Sequence, residues 1–281
     1  MANDVTIHDA YHSALTFLLK LYRRTEQAEL DLIAAGVAFF VFLAIFPAVA
    51  AIIAIWGTVY DPSVISTQIE LLQGFLPPEA FALVVSQVDS LLAVRGPQLG
   101  WTTLFSTLLA LWSARAGVAA LIRGLNAIYH LPNRPGGRHQ LRAIFLTLVL
   151  IGLALAAMIA TVVAPIIIGF LPVTVDTASW LHYGNLALGL VLLVLAISIA
   201  YRAGPNHMGV RPPLFSLGLL VAVVLWAGAA RGFMLYLANF PSYNRIYGSI
   251  GAVVVLLIWL YVSAYAVLLG AAVDAERHRR E

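Results

Sequence analysis

Six stretches of this chain are apolar for about twenty residues or more, at roughly 32–57, 99–122, 143–171, 181–201, 214–238 and 248–273. At 1.5 Å of rise per residue, about twenty apolar residues are what a helix needs to cross a hydrocarbon core about 30 Å thick. Hydrocarbon offers no water to the peptide groups, so each stretch must satisfy its own backbone, and an α-helix does so within one segment. The sequence therefore predicts an all-α polytopic membrane protein: six transmembrane helices with additional amphipathic interfacial helices, in a single membrane domain over residues 1–281. The chain is 62% hydrophobic and only 10% charged, whereas a soluble domain carries about 25% charged residues.

The basic residues orient the spans. With both termini on the cytoplasmic side, the inside segments hold Lys20, Arg23, Arg24, Arg123, Arg134, Arg138, Arg142, Arg202, Arg211, Arg277, Arg279 and Arg280. The outside loops hold only Arg95 and Arg245, and Arg115 and Arg231 fall within spans. Positive charge is retained on the cytoplasmic side of membranes, so this partition favours an even number of crossings. The net charge of +3 then reports topology, and no nucleic-acid partner is expected, because the basic residues are spread along the chain. Cysteine is absent, which excludes disulfides and thiolate chemistry.

Between the spans the pattern changes. Residues 58–98 form the one long external connection, where apolar spacing and Pro77-Pro78 suggest two short amphipathic helices. Residues 1–31 form a cytoplasmic segment, with an amphipathic helix expected over 5–31. It lacks the basic start and small-residue exit of a cleaved signal, so the first span is expected to direct insertion. The loop HLPNRPGGRHQLR carries Arg134, Arg138 and Arg142, which suit anionic lipid headgroups. Residues 274–281 form a basic cytoplasmic tail.

Candidate chemistry is confined to polar groups at membrane depth, which tend to face cavities or one another. Arg115 and Arg231 stand in apolar spans, where a guanidinium costs about 2.5–3.5 kcal/mol at the bilayer centre. Either they snorkel to headgroups, or they form a site that grips an anionic headgroup. The string SYNRIYGS, at the start of the sixth span, has two readings as well. Gly248, Ser249 and Gly251 suit close helix packing, with Tyr243 and Tyr247 as interfacial anchors. Alternatively Tyr236, Asn239, Tyr243, Asn244, Tyr247 and Ser249 line a polar vestibule. Pro47 and Pro165 invite kinks in the first and third spans. His8 and His12 have a zinc-like spacing without the accompanying glutamate or a third ligand, so no metal site and no cofactor are expected. No nucleophile elbow, P-loop or dinucleotide fingerprint appears, so no catalytic residue is assigned and the chain reads as a non-enzyme.

Several blocks resemble the YihY/BrkB family of bacterial inner-membrane proteins: AAGVAFFVFLAIFP (34–47), LWSARAGVAALIRGLNAIYH (111–130), YRAGPN (201–206) and YNRIYGSIGAVVVLLIWLYVSAYAVLLGAAVDAE (243–276). The chain departs from that pattern at Ala44, at RPPLFSLG and at Asp274, where Ser, a more aromatic stretch, and Asn or Glu would be expected. The resemblance implies a six-helix protein of the bacterial inner membrane without an established reaction. It also implies association with the envelope, and a past ribonuclease label that these residues do not support. The expected function is transport or export of an amphipathic or anionic envelope component, such as a lipid or glycolipid. A non-catalytic envelope scaffold is the alternative, a membrane-bound enzyme the least favoured, and an oligomer is compatible with either leading reading.

Overall fold

The computed structural model describes residues 2–59, 97–133, 136–158, 175–206, 213–238 and 241–277. These residues form helices α1 (Ala2–Gln27), α2 (Leu30–Val59), α3 (Pro97–Ile128), α4 (Gly136–Met158), α5 (Val175–Ala203), α6 (Leu217–Ala238) and α7 (Pro241–Arg277). Six of them, α2 to α7, contain stretches long and apolar enough to cross a membrane. No strand occurs among the described residues, so the all-α, six-span expectation holds. The short amphipathic helices expected in 58–98, and Pro165, lie outside the described residues.

Helix ends follow local chemistry. Pro241 occupies the first position of α7, where its missing N–H is no loss. The polar string 242–249 is thus the opening of a helix and not a loop before one. α4 begins at Gly136, so Arg138 and Arg142, expected in a loop, belong to its first turns; nothing after Gly137 breaks a helix. α3 ends in a Schellman turn: the His130 N–H donates to the Ala127 carbonyl and the Leu131 N–H to the Asn126 carbonyl. His130 is left-handed there, at φ 52°. Glu29, at φ 49°, separates α1 from α2 in the same way.

The chain divides into two compact units, residues 40–114, and residues 1–39 with 115–281. In the smaller, Phe42 and Phe46 meet edge to face at 5.3 Å, as do Phe40 and Trp112 at 6.4 Å. In the larger, the core joins Leu30 and Ala34 of α2, Leu125 and Ile128 of α3, Ile197 and Tyr201 of α5, Leu219 and Ala222 of α6, and Ala264, Leu268, Ala271 and Ala272 of α7. A second cluster pairs Ala119 and Ile122 of α3 with Ala143 and Leu146 of α4.

Alanine dominates these cores, while large side chains such as Phe105, Phe145, Leu190, Leu220 and Met234 are exposed. That inversion suits lipid. Between helices in hydrocarbon the hydrophobic drive is lost, so small residues that let backbones approach hold the contact, and bulky ones face the acyl chains. The α6–α7 pair shows it best. A Cβ on Gly270 would stand 2.6 Å from Ala222 Cβ and 2.7 Å from the Tyr201 hydroxyl, and closer still to the Gly218 carbonyl. One on Gly218 would meet Asp274 Cγ at 2.5 Å. Farther along, Trp259 of α7 stacks on Phe233 of α6, with ring centroids 5.0 Å apart.

Candidate functional site

The larger unit gathers its polar side chains where α1, α3, α5 and α7 end and α4 and α6 begin. At the start of α6, Ser216 is an N-cap: its hydroxyl accepts the Leu219 N–H at 3.1 Å. The same hydroxyl donates to Asp274 Oδ2, while Asp274 Oδ1 accepts the Gly218 N–H at 2.6 Å. Asp274 lies near the C-terminus of its own helix, where the macrodipole disfavours an anion. The carboxylate is stabilised by the opposite dipole of α6, whose first N–H groups point at it. Only glycine at 218 and 270 lets α6 come close enough for this contact.

Two residues on, Glu276 pairs with Arg24 of α1 at 3.3 Å, with both side chains buried. Arg24 Nη1 also donates to the Ile128 carbonyl at the end of α3, at 3.0 Å. The guanidinium thus caps α3 where the dipole favours a cation and ties α1, α3 and α7 together. Tyr129 follows directly. Burial, and secondarily the Asp274 charge, push its hydroxyl pKa well above the usual phenol range, with Arg24 opposing. Tyr129 is therefore a neutral phenol beside a charged cluster.

A neutral network extends from there. Asn126, 1% exposed, donates to Asn133 Oδ1 at 2.9 Å and accepts the Asn206 N–H at 2.8 Å. Asn206 Nδ2 donates to the Pro132 carbonyl at 3.0 Å. The turn after α3 is thereby fastened to the YRAGPN segment. The Tyr201 hydroxyl donates to the Val267 carbonyl of α7, and Ser198 donates to the Leu214 carbonyl at 2.9 Å. Such a cluster holds helix ends in one register.

The residues singled out from the sequence fall elsewhere. Arg115, half-buried in α3, donates to Gln140 Oε1 of α4, so a neutral amide is its partner. Arg231 and Tyr236 are exposed on α6. No described residue pairs with Arg231. Tyr243, Asn244, Tyr247 and Ser249 lie in the first turns of α7; their side chains, and all of Asn239, lie outside the described residues. Of the basic residues assigned to headgroups, Arg138 is exposed. Arg142 Nε donates to the Ala203 carbonyl at 2.6 Å, capping α5, and Arg134 lies outside the described residues. The sequence reading did not single out Arg24, Asn126, Ser216 or Glu276 as site residues. One signal was available: a carboxylate in the last turn of an apolar helix opposes that helix's dipole and so calls for a partner.

The family profile described as Virulence factor BrkB matches residues 21–281. The chain is 28% identical over 276 residues to a Bacillus subtilis protein named ribonuclease-like, YfkH, covering 95% of this chain and 97% of that one. It is 26% identical over 273 residues to a UPF0761 membrane protein of Kangiella koreensis, covering 94% of this chain but only 64% of that relative. A UPF0761 membrane protein of Photobacterium profundum is 27% identical over 282 residues, covering 95% of this chain and 82% of the relative. No solved structure matches.

Proposed function

Because the chain belongs to the Virulence factor BrkB family of integral membrane proteins, we propose that it carries an amphipathic anion, of lipid or glycolipid type, across the bacterial inner membrane. The observation that carries this reading is Arg231. It is the single charge in the apolar span Leu217–Tyr236, it is exposed, and no described residue pairs with it. A guanidinium in hydrocarbon costs about 2.5–3.5 kcal/mol, and Arg115 offsets such a cost through Gln140. Paired with no described residue, the Arg231 guanidinium would offer a planar fork suited to bidentate contact with a phosphate or carboxylate headgroup.

Tyr236, Asn239, Tyr243, Asn244, Tyr247 and Ser249, which follow Arg231 in sequence, would supply neutral contacts to the rest of the headgroup. Arg134 and Arg138 would face anionic lipid on the cytoplasmic side, the side on which the basic excess of the connecting segments argues for both termini. The chain has no phosphate-binding loop, so movement would follow a gradient or draw on a partner, and no catalytic step is assigned.

Proteoliposomes holding wild type, Arg231→Ala or Arg231→Lys, with a fluorescent anionic lipid in one leaflet, test this. Wild type is expected to exchange the lipid faster than empty vesicles, Arg231→Ala to fall toward the empty rate, and Arg231→Lys to lie between. Equal rates for wild type and empty vesicles would remove the proposal. The polar cluster at the helix ends favours a second reading, a rigid envelope scaffold, because its charges are satisfied within the chain. A scaffold would move no lipid and would leave the membrane with a stoichiometric partner.

A further inference from the structure

α1 has two unlike faces. Arg24 and Thr25 turn inward and are buried, and Leu21 packs on the core. Beside that face, Leu15, Leu18, Leu19 and Tyr22 are 48%, 59%, 54% and 63% exposed. Their spacing of i, i+3, i+4 and i+7 gathers them within about 100° of the helix circumference. Lys20 and Arg23 are exposed beyond the stripe on the polar flank. The exposed acid Glu26 stands one turn beyond Tyr22 on the same face, and Glu29 and Asp31 follow it at the turn into α2, so the cations accompany the body of the stripe and the acids its end.

This stripe is held in place. Arg24 anchors α1 to Glu276 and to the end of α3. The left-handed Glu29 ends α1 one residue before the apolar span that opens at Leu30. The last turns of α1 therefore lie at the depth where hydrocarbon begins. Four large apolar side chains on a fixed helix at that depth match one occupant in polarity and, along the flank that carries Lys20 and Arg23, in charge. We infer that the Leu15–Tyr22 face of α1 lies in the interfacial layer of the bilayer that the chain crosses, with Lys20 and Arg23 drawing it onto acidic phospholipid headgroups. Interfacial helices bind through apolar area plus attraction to anionic lipid, and both terms are present here. This reading stands apart from lipid transport: it needs the membrane, but no movement of cargo.

The absence of cysteine makes the test clean, since a single introduced thiol is the sole labelling site. Full-length chains carrying Leu18→Cys, Tyr22→Cys or Gln27→Cys are spin-labelled and placed in nanodiscs, of phosphatidylcholine alone or mixed equally with phosphatidylglycerol. Accessibility to oxygen, which partitions into lipid, is compared with that to a water-soluble nickel chelate. In the anionic discs the labels at 18 and 22 are expected to favour oxygen and the label at 27 nickel. In neutral discs the contrast should shrink. Combining Lys20→Gln and Arg23→Gln should weaken docking by roughly fivefold per residue. These sites are exposed, so the substitutions leave the fold intact, and the Gln27 label serves as the internal reference. Nickel accessibility at 18 and 22 equal to that at 27 in anionic discs would overturn the inference. So would identical contrast in both lipids, or dipolar broadening showing that a second copy covers the stripe.

Discussion

Replacing Gly270 by alanine should be among the most damaging single-methyl changes available to this chain. The added Cβ would sit 2.6 Å from Ala222 Cβ and 2.7 Å from the Tyr201 hydroxyl, and nearer still to the Gly218 carbonyl. Two of these neighbours are backbone or a methyl fixed to it, so those two cannot swing away. Ordinary carbon contacts begin at about 3.5 Å, so α6 and α7 must separate by about 1 Å, which forfeits up to half the dispersion energy of each pair in contact. Overpacking of this kind costs about 1–3 kcal/mol. The same shift would stretch the 2.6 Å bond from the Gly218 N–H to Asp274 beyond hydrogen-bonding range. A bond to a charged group contributes about 1.5–3 kcal/mol. The expected loss is therefore about 2.5–6 kcal/mol, bounded by these two terms. Reversible unfolding in mixed micelles, titrated with a denaturing detergent, would measure it. Gly228→Ala on α6 is the control: nothing lies within 4 Å of its Cβ, and alanine should stabilise that helix by about 0.5–1 kcal/mol. If Gly270→Ala unfolds within about 0.5 kcal/mol of wild type, ordinary scatter for a surface change, the claim of forced close approach is wrong.

Other consequences follow from the same end of the molecule. Arg24→Ala leaves Glu276 buried without its cation and should cost about 3–5 kcal/mol, whereas Arg24→Met with Glu276→Leu should recover most of that loss in the same unfolding assay. His130→Gly relieves the left-handed strain in the α3 turn and should stabilise the fold by about 0.5–1 kcal/mol, read as a higher unfolding midpoint. Tyr129 holds its proton more tightly in the folded chain than in the unfolded one. Its contribution is present in full below the unfolded phenol pKa of about 10 and is lost as pH rises above it. Unfolding midpoints followed from pH 8 to 11 should fall more steeply for wild type than for Tyr129→Phe.

Much of the architecture was legible from local signals. Six apolar stretches became α2 to α7, because length and apolarity are properties a segment carries by itself and hydrocarbon leaves helix as the local solution. Pro241 and Gly136 marked starts that periodicity alone had placed several residues late. The polar groups at membrane depth were legible only as anomalies. Arg115 stood out as a cost in its span, but nothing local pointed to Gln140, which lies in another helix.

The sequence by itself determined that this chain crosses a membrane as helices, since a run of apolar residues dictates its solvent and its solvent dictates its hydrogen bonding. Which residues meet was decided only by the tertiary structure. Arg24 and Glu276 stand near opposite ends of the chain yet form a buried pair, and Asp274 finds its partners in the first turn of a different helix. Such contacts depend on how far two backbones can approach, and here two glycines facing each other across α6 and α7 set that distance.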